Sequence, residues 1–159
     1  MNESASLVCL IGLLFGVIAG LRSMTAPTAI TWGVHLGWFH LGDGWLAFLG
    51  NDWTRWIVTL LALVELVADQ LPTTPHRTTP LPFGGRIVLG ALSGAAVGSS
   101  AGVTILGGVA GALGAVIGTL GGHRLRARLA AAFHNDHPAA FIEDAIAIGG
   151  AVLLGMAGR

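Results

Sequence analysis

Between residues 87 and 122 the chain runs for 36 residues without an Asp, Glu, Lys or Arg, and no other feature limits its folding as much. A soluble helix or strand of that length would lack a polar face. As one helix, at about 1.5 Å per residue, it would extend roughly 54 Å, well beyond a hydrocarbon core of about 30 Å. The run must therefore turn back on itself, and the small polar stretch GSSAG at 98–102 is the natural turn. Two membrane spans result.

The rest of the chain agrees. Only 10% of the 159 residues are charged and mean hydropathy is +0.76, whereas about a quarter of a soluble domain is charged. Further apolar segments lie at 6–21, 28–41, 56–71 and 138–158, the last opened by Asn135 or Asp136 as a cap with Pro138 in the first turn. The expectation is an all-α membrane protein of about six short transmembrane helices. The N-terminus MNESASL holds an acid and no basic region, so it reads as a poor secretory signal and the run after it as a retained span.

The arginines orient these spans. Arg22, then Arg77 and Arg86, then Arg124, Arg126 and Arg128 fall in three loops on one side of a six-span arrangement, and Arg55 and Arg159 on the other. Six against two places the first group in the cytoplasm and both termini outside, in the periplasm of a bacterial inner membrane. Trp32, Trp38, Trp45, Trp53 and Trp56 then lie near the outer ends of spans two and three, as interfacial anchors do. The single domain divides into 1–72, a Pro-rich cytoplasmic connector at 73–83, and 84–159.

These two halves carry a faint repeat. Gly12, Gly16 and Gly20 match Gly90, Gly94 and Gly98 at an offset of 78, and the same offset pairs Glu65 with Glu143. Three spans per half would make the repeats inverted, an arrangement found in many transporters. Glycine at every fourth position also smooths one helix face, in a glycine-zipper pattern, so that backbones can approach closely.

Ionisable groups within spans carry the chemistry. Glu65 and Asp69 are four residues apart and share a helix face, and Glu143 and Asp144 lie in the last span. Each costs about 2.5 kcal/mol or more in a bilayer unless paired or hydrated. Related by a two-fold axis in the membrane plane, Glu65 and Glu143 would meet near mid-depth and share a proton or a cation. The competing reading is a set of structural ion pairs, such as Glu65 with Arg22 or Glu143 with Arg124. In GLRSMTAP, at 20–27, Arg22 ends span one, Ser23 and Thr25 are placed to satisfy freed backbone groups, and Pro27 opens the next helix. A helix N-terminus beside an arginine favours an anion, while a plain cytoplasmic turn explains the same residues without a ligand. The glycine face of span one is expected to admit span three, bringing Arg22 to Glu65.

Other chemistries find no support. With zero net charge and no basic patch, nucleic acid is excluded as a partner. Cys9, the one cysteine, sits in an apolar run and builds neither a disulfide nor a zinc framework within the chain. His134 and His137 flank Asp136, but the histidines lack a zinc-ligand pattern and read as a polar turn. No nucleophile motif or phosphate loop is present, so neither an enzyme nor a cofactor is expected.

GLRSMTAPTAITWGVHLGW, ELVADQLPTTPHRTTP and FIEDAIAIGGA together resemble the small bacterial membrane proteins of the domain-of-unknown-function family DUF4126. The resemblance covers almost the whole chain. It implies a membrane protein and marks Arg22, Ser23, Thr25, Pro27, Glu65, Asp69, Pro72, Thr74, Pro75, Arg77, Glu143 and Asp144 as its characteristic positions, without naming a substrate. The expected function is a small permease, proton- or cation-coupled, acting on an ion or solute among membrane lipids as a homodimer. Its site would comprise Arg22, Ser23, Thr25, Glu65, Asp69, Thr74, Arg77, Glu143 and Asp144. The rivals are a non-transporting scaffold or lipid-binding factor with structural ion pairs, and an enzyme acting on lipid.

Overall fold

In a computed structural model, which describes residues 3–42, 44–69, 79–134 and 136–158, the chain is helical with no strand among those residues. The helices are α1 (Glu3–Leu21), α2 (Thr25–His35), α3 (Asp52–Ala68), α4 (Pro80–Ser99), α5 (Thr104–Phe133) and α6 (Asp136–Ala157), with a 3-10 segment at Trp45–Gly50. Pro80–Ser99, Thr104–Phe133 and Pro138–Ala157 are long and apolar enough to cross a membrane, and Ala5–Leu21 is a shorter apolar helix. Thr74, Arg77 and most of the 73–83 connector lie outside the described residues.

The uncharged run folds as the hairpin its length demands. α4 ends at Ser99 and α5 starts at Thr104. Gly98 O accepts from the amides of Ala101 and Val103, and Gly102 takes φ +70°, a conformation that costs glycine little. The hydroxyls of Ser99 and Ser100 donate to Ala96 O and Val97 O, each at 2.7 Å, so the polar turn satisfies itself.

Backbone contact between glycine faces builds the core. A Cβ on Gly12 would lie 3.4 Å from Gly94 Cα, and one on Gly90 would lie 3.4 Å from Gly16 Cα, so α1 and α4 run antiparallel. Gly12, Gly16 and Gly20 also meet Gly107, Gly111 and Ala115 in ascending order, so α1 and α5 run parallel. The expected admission of span three to this face is therefore corrected: α4 and α5 fill it. α3 packs on α2 instead and buries only Arg55 and Ala62.

Two expected boundaries also change. The segment 28–41 is not one span, because α2 ends at His35 and Gly37 takes φ +74°. The chain then folds back, and Phe39, 3% exposed, packs edge-on to Phe15 with ring centroids 6.0 Å apart. Arg124, Arg126 and Arg128 lie within α5, which continues unbroken to Phe133, rather than in a loop. Of the tryptophans, Trp45, Trp53 and Trp56 are exposed, as interfacial anchors would be. Trp32 is engaged internally: its indole N–H donates to Thr59 Oγ1 and its face carries the Arg55 guanidinium, 5.0 Å from the ring centroid.

Candidate functional site

The charged groups gather at one end of the bundle. Arg22 follows the last residue of α1, Asp69 follows the last residue of α3, Arg86 lies in the second turn of α4, and Glu143 and Asp144 in the third turn of α6. Arg126 comes from the late part of α5. The cluster thus lies at the end where α1 and α3 stop, with Glu65 in the last turn of α3 and Glu143 in the third turn of α6. The two glutamates expected to meet engage different partners.

Arg22 is the centre, with no exposed surface. Nη1 donates to Asp69 Oδ2 of α3, and Nη2 lies 2.5 Å from Asp144 Oδ1 of α6. The second contact is an ion pair without aligned hydrogen-bond geometry, and Arg22 Nε, also buried, has no hydrogen-bond acceptor. The two aspartates are 11% and 14% exposed, whereas the guanidinium between them is fully covered.

Glu65 has different work. Oε1 accepts from the Ser23 amide at 2.8 Å and from the Ser23 hydroxyl at 2.5 Å, while Oε2 accepts from the Met24 amide at 2.8 Å. These amides open α2, whose first turn includes Pro27, and an anion there opposes the partial positive charge of the helix end. Arg86 supplies the converse at the C-terminus of α1: Nη1 donates to Gly20 O at 2.6 Å and Leu21 O at 2.8 Å. Its Nη2 is 3.7 Å from Glu65 Oε1. The α1–α2 break is thus held by a carboxylate on its donors and a guanidinium on its acceptors.

The third pair joins Glu143 Oε2 to Arg126 Nη1 at 3.6 Å. Gly122 makes room for it, since a Cβ there would come 3.2 Å from Glu143 Oε1. The pairings expected from sequence are accordingly corrected: Glu65 engages α2 and Arg86 rather than Arg22, and Glu143 engages Arg126 rather than Arg124. Arg22 serves Asp69 and Asp144. The Ser23 hydroxyl binds Glu65 instead of a backbone group, and Thr25 is buried in the first turn of α2. Thr28, not singled out from sequence, directs its hydroxyl to Met24 O at 2.7 Å, which also accepts the Thr28 amide, and to Val58 O at 3.1 Å.

Sequence reasoning also passed over Arg86 and Arg126 as site residues, counting them as loop charges. The available signal was position. Arg86 stands in FGGRIVLG, at the very start of the long uncharged run, and an arginine that deep in an apolar helix needs partners. No group of three or more His, Cys, Asp or Glu among the described residues is arranged to hold a metal ion. Comparison with protein-family models, curated proteins and solved structures finds no match for this chain.

Proposed function

We propose that this chain is a small permease of the bacterial inner membrane, coupled to protons or cations, with Arg22, Asp69 and Asp144 as its coupling site. One observation carries the reading: a fully buried arginine is shared by two carboxylates from different parts of the bundle, Asp69 just past the end of α3 and Asp144 on α6. One guanidinium and two carboxylates leave the triad at −1 when all are ionised. A proton or cation on one aspartate removes that excess and weakens its hold on Arg22, so α3 or α6 is released according to which aspartate is loaded. Two attachments exchanged by a bound ion form the bistable element that coupled transport requires.

Three further features support the proposal. The motifs that resemble DUF4126, separated in sequence, converge here: Arg22 to Met24, Glu65 with Asp69, and Glu143 with Asp144. The antiparallel crossing of α1 and α4, in which Gly12 faces Gly94 and Gly16 faces Gly90, fits an inverted repeat with an offset of 78. The arginine-rich end faces the cytoplasm by the asymmetry of charge, which leaves both termini outside. A homodimer with six membrane segments per copy completes the arrangement.

A second reading, a non-transporting scaffold, draws on Glu65 and Arg86, whose bonds to helix ends are structural. The two are separated by reconstituting the protein in proteoliposomes with trapped pyranine, clamping the potential with potassium and valinomycin, and screening cations, anions, amines and sugars. Solute-dependent proton flux in the wild type, lost in Asp144→Asn while elution profile and helicity are kept, is the outcome for a permease. Absence of flux with every solute, together with collapse of Asp144→Asn, overturns the permease in favour of the scaffold.

A further inference from the structure

Resting on the permease reading, we propose that Arg22 binds the substrate, that this is a small oxyanion or carboxylate, and that it takes the place of Asp144 on the guanidinium.

The guanidinium already displays its ligand chemistry. Its planar fork matches carboxylate and phosphate oxygens, and two carboxylates of the protein now occupy it. They hold it unequally. Asp69 accepts a hydrogen bond from Nη1, whereas Asp144 makes an ion contact without hydrogen-bond alignment. Asp144 is therefore the exchangeable partner. Nε is a third donor, buried and without an acceptor, and leaving such a donor unmet is costly for a buried charged group. An incoming oxyanion can use Nη2 and Nε together, the two-point contact that Asp144 does not make.

The surrounding charges set the condition for exchange. Facing the triad's end of the bundle are Glu65 from α3, Arg86 from α4, Arg126 from α5 and Glu143 from α6, and these four are joined in the pairs Glu65–Arg86 and Glu143–Arg126. An anion added to the triad with both aspartates ionised would meet an existing −1. With one proton on Asp144, a bound monoanion leaves the triad at −1 again. Proton and anion thus enter as a neutral pair, and the loaded and empty forms have the same charge for the membrane to oppose. Binding an anion and a proton at one site makes each raise the affinity for the other.

The test uses the full chain in nanodiscs, with thermal unfolding followed at constant ionic strength at pH 5.5 and pH 7.5. The probes are potassium lactate, sulfate and nitrate, with chloride and putrescine as comparators. An oxyanion should raise the unfolding midpoint saturably at the lower pH, with apparent affinity falling by up to about tenfold per pH unit on the alkaline side. Asp144→Asn should bind it equally at both pH values, and Arg22→Gln should not bind it. No shift with any oxyanion at either pH, or undiminished binding in Arg22→Gln, overturns the proposal. Should Arg22→Gln fail to fold, Asp144→Asn decides, because persistent pH dependence in that variant overturns it equally. Coupled flux with a cation or sugar and no oxyanion binding refutes the anion site alone. Oxyanion binding without coupled flux upholds the site and refutes the permease.

Discussion

Replacing Gly16 by alanine tests whether backbone contact holds the bundle together. A Cβ at Gly16 would lie 2.7 Å from the carbonyl carbon of Gly111 and 2.8 Å from its Cα. Both are backbone atoms, so no side chain can swing aside. The Gly111 carbonyl oxygen is nearer still, so α1 must move from α5 by more than the about 0.7 Å that opens the carbonyl-carbon gap to 3.4 Å, the near edge of ordinary van der Waals contact. A gap of about 0.5–1 Å forfeits a quarter to a half of each dispersion well, and such packing is a main force between helices in lipid. If on the order of 30 atom pairs near Gly16, at about 0.15 kcal/mol each, lose a third of their attraction, the loss is about 1.5 kcal/mol. Alanine gains up to about 1 kcal/mol over glycine in helix propensity, but overpacking typically costs about 1–3 kcal/mol, so the net effect should be destabilising. Gly149→Ala is the control, because a Cβ there meets nothing within 4 Å. Reversible unfolding in mixed micelles, followed by tryptophan fluorescence, should rank Gly16→Ala below wild type and Gly149→Ala level with it or above. Equal stability of Gly16→Ala and wild type, or equal damage from both changes, would refute the packing argument.

Glu65→Ala leaves the Ser23 and Met24 amides without their carboxylate and should cost about 1–3 kcal/mol, while Glu65→Gln keeps an acceptor and should cost less; paired unfolding curves check this order. Arg86→Met removes the Nη1 bonds to Gly20 O and Leu21 O, leaving the Thr119 hydroxyl on Gly20 O at 3.3 Å, and hydrogen exchange of the α1–α2 junction should accelerate before that of the α4–α5 hairpin. Cysteines at Thr79 and Trp45 in a Cys9→Ala background should be labelled by an impermeant thiol reagent from opposite sides of the membrane, and same-side labelling would end the proposed topology.

Period and charge made much of the fold legible. A run of 36 uncharged residues admits little but a hairpin, and its turn falls at GSSAG. The glycine stripes announced close packing but not the partner, because a smooth face suits any neighbour that is equally smooth. α4 and α5 are smooth and α3 is not, a comparison that required weighing all the helices against one another. The boundary of α5 was misplaced for a different reason. Arginines after an apolar run read as a loop, but nothing in HRLRARLAAAF breaks a helix, and α5 continues to Phe133. The cluster's membership was legible for Arg22, Ser23, Glu65, Asp69, Glu143 and Asp144, since each is a polar group beside or within an apolar segment. Who pairs with whom was not, because pairing depends on which helix ends meet.

The α1–α2 break shows why these charges need one another. Ending a helix inside a packed bundle frees carbonyls at one side of the break and amides at the other, and burial leaves little water to satisfy them. Here Arg86 takes the carbonyls and Glu65 the amides, so each charge is neutralised by a helix end as well as by its counterpart. Those two residues are committed, since moving either would strand backbone groups. Arg22 stands in the same turn under a different constraint. Its guanidinium bonds no helix terminus, its partners are side chains of Asp69, just past α3, and Asp144 of α6, and one of its donors is unmet. Rigid support from Glu65 and Arg86 therefore surrounds a guanidinium whose partners can be exchanged without dismantling the backbone. A turn needed only to reverse the chain would be complete with the first two residues, and Arg22 is the part of GLRSMTAP that such a turn does not require.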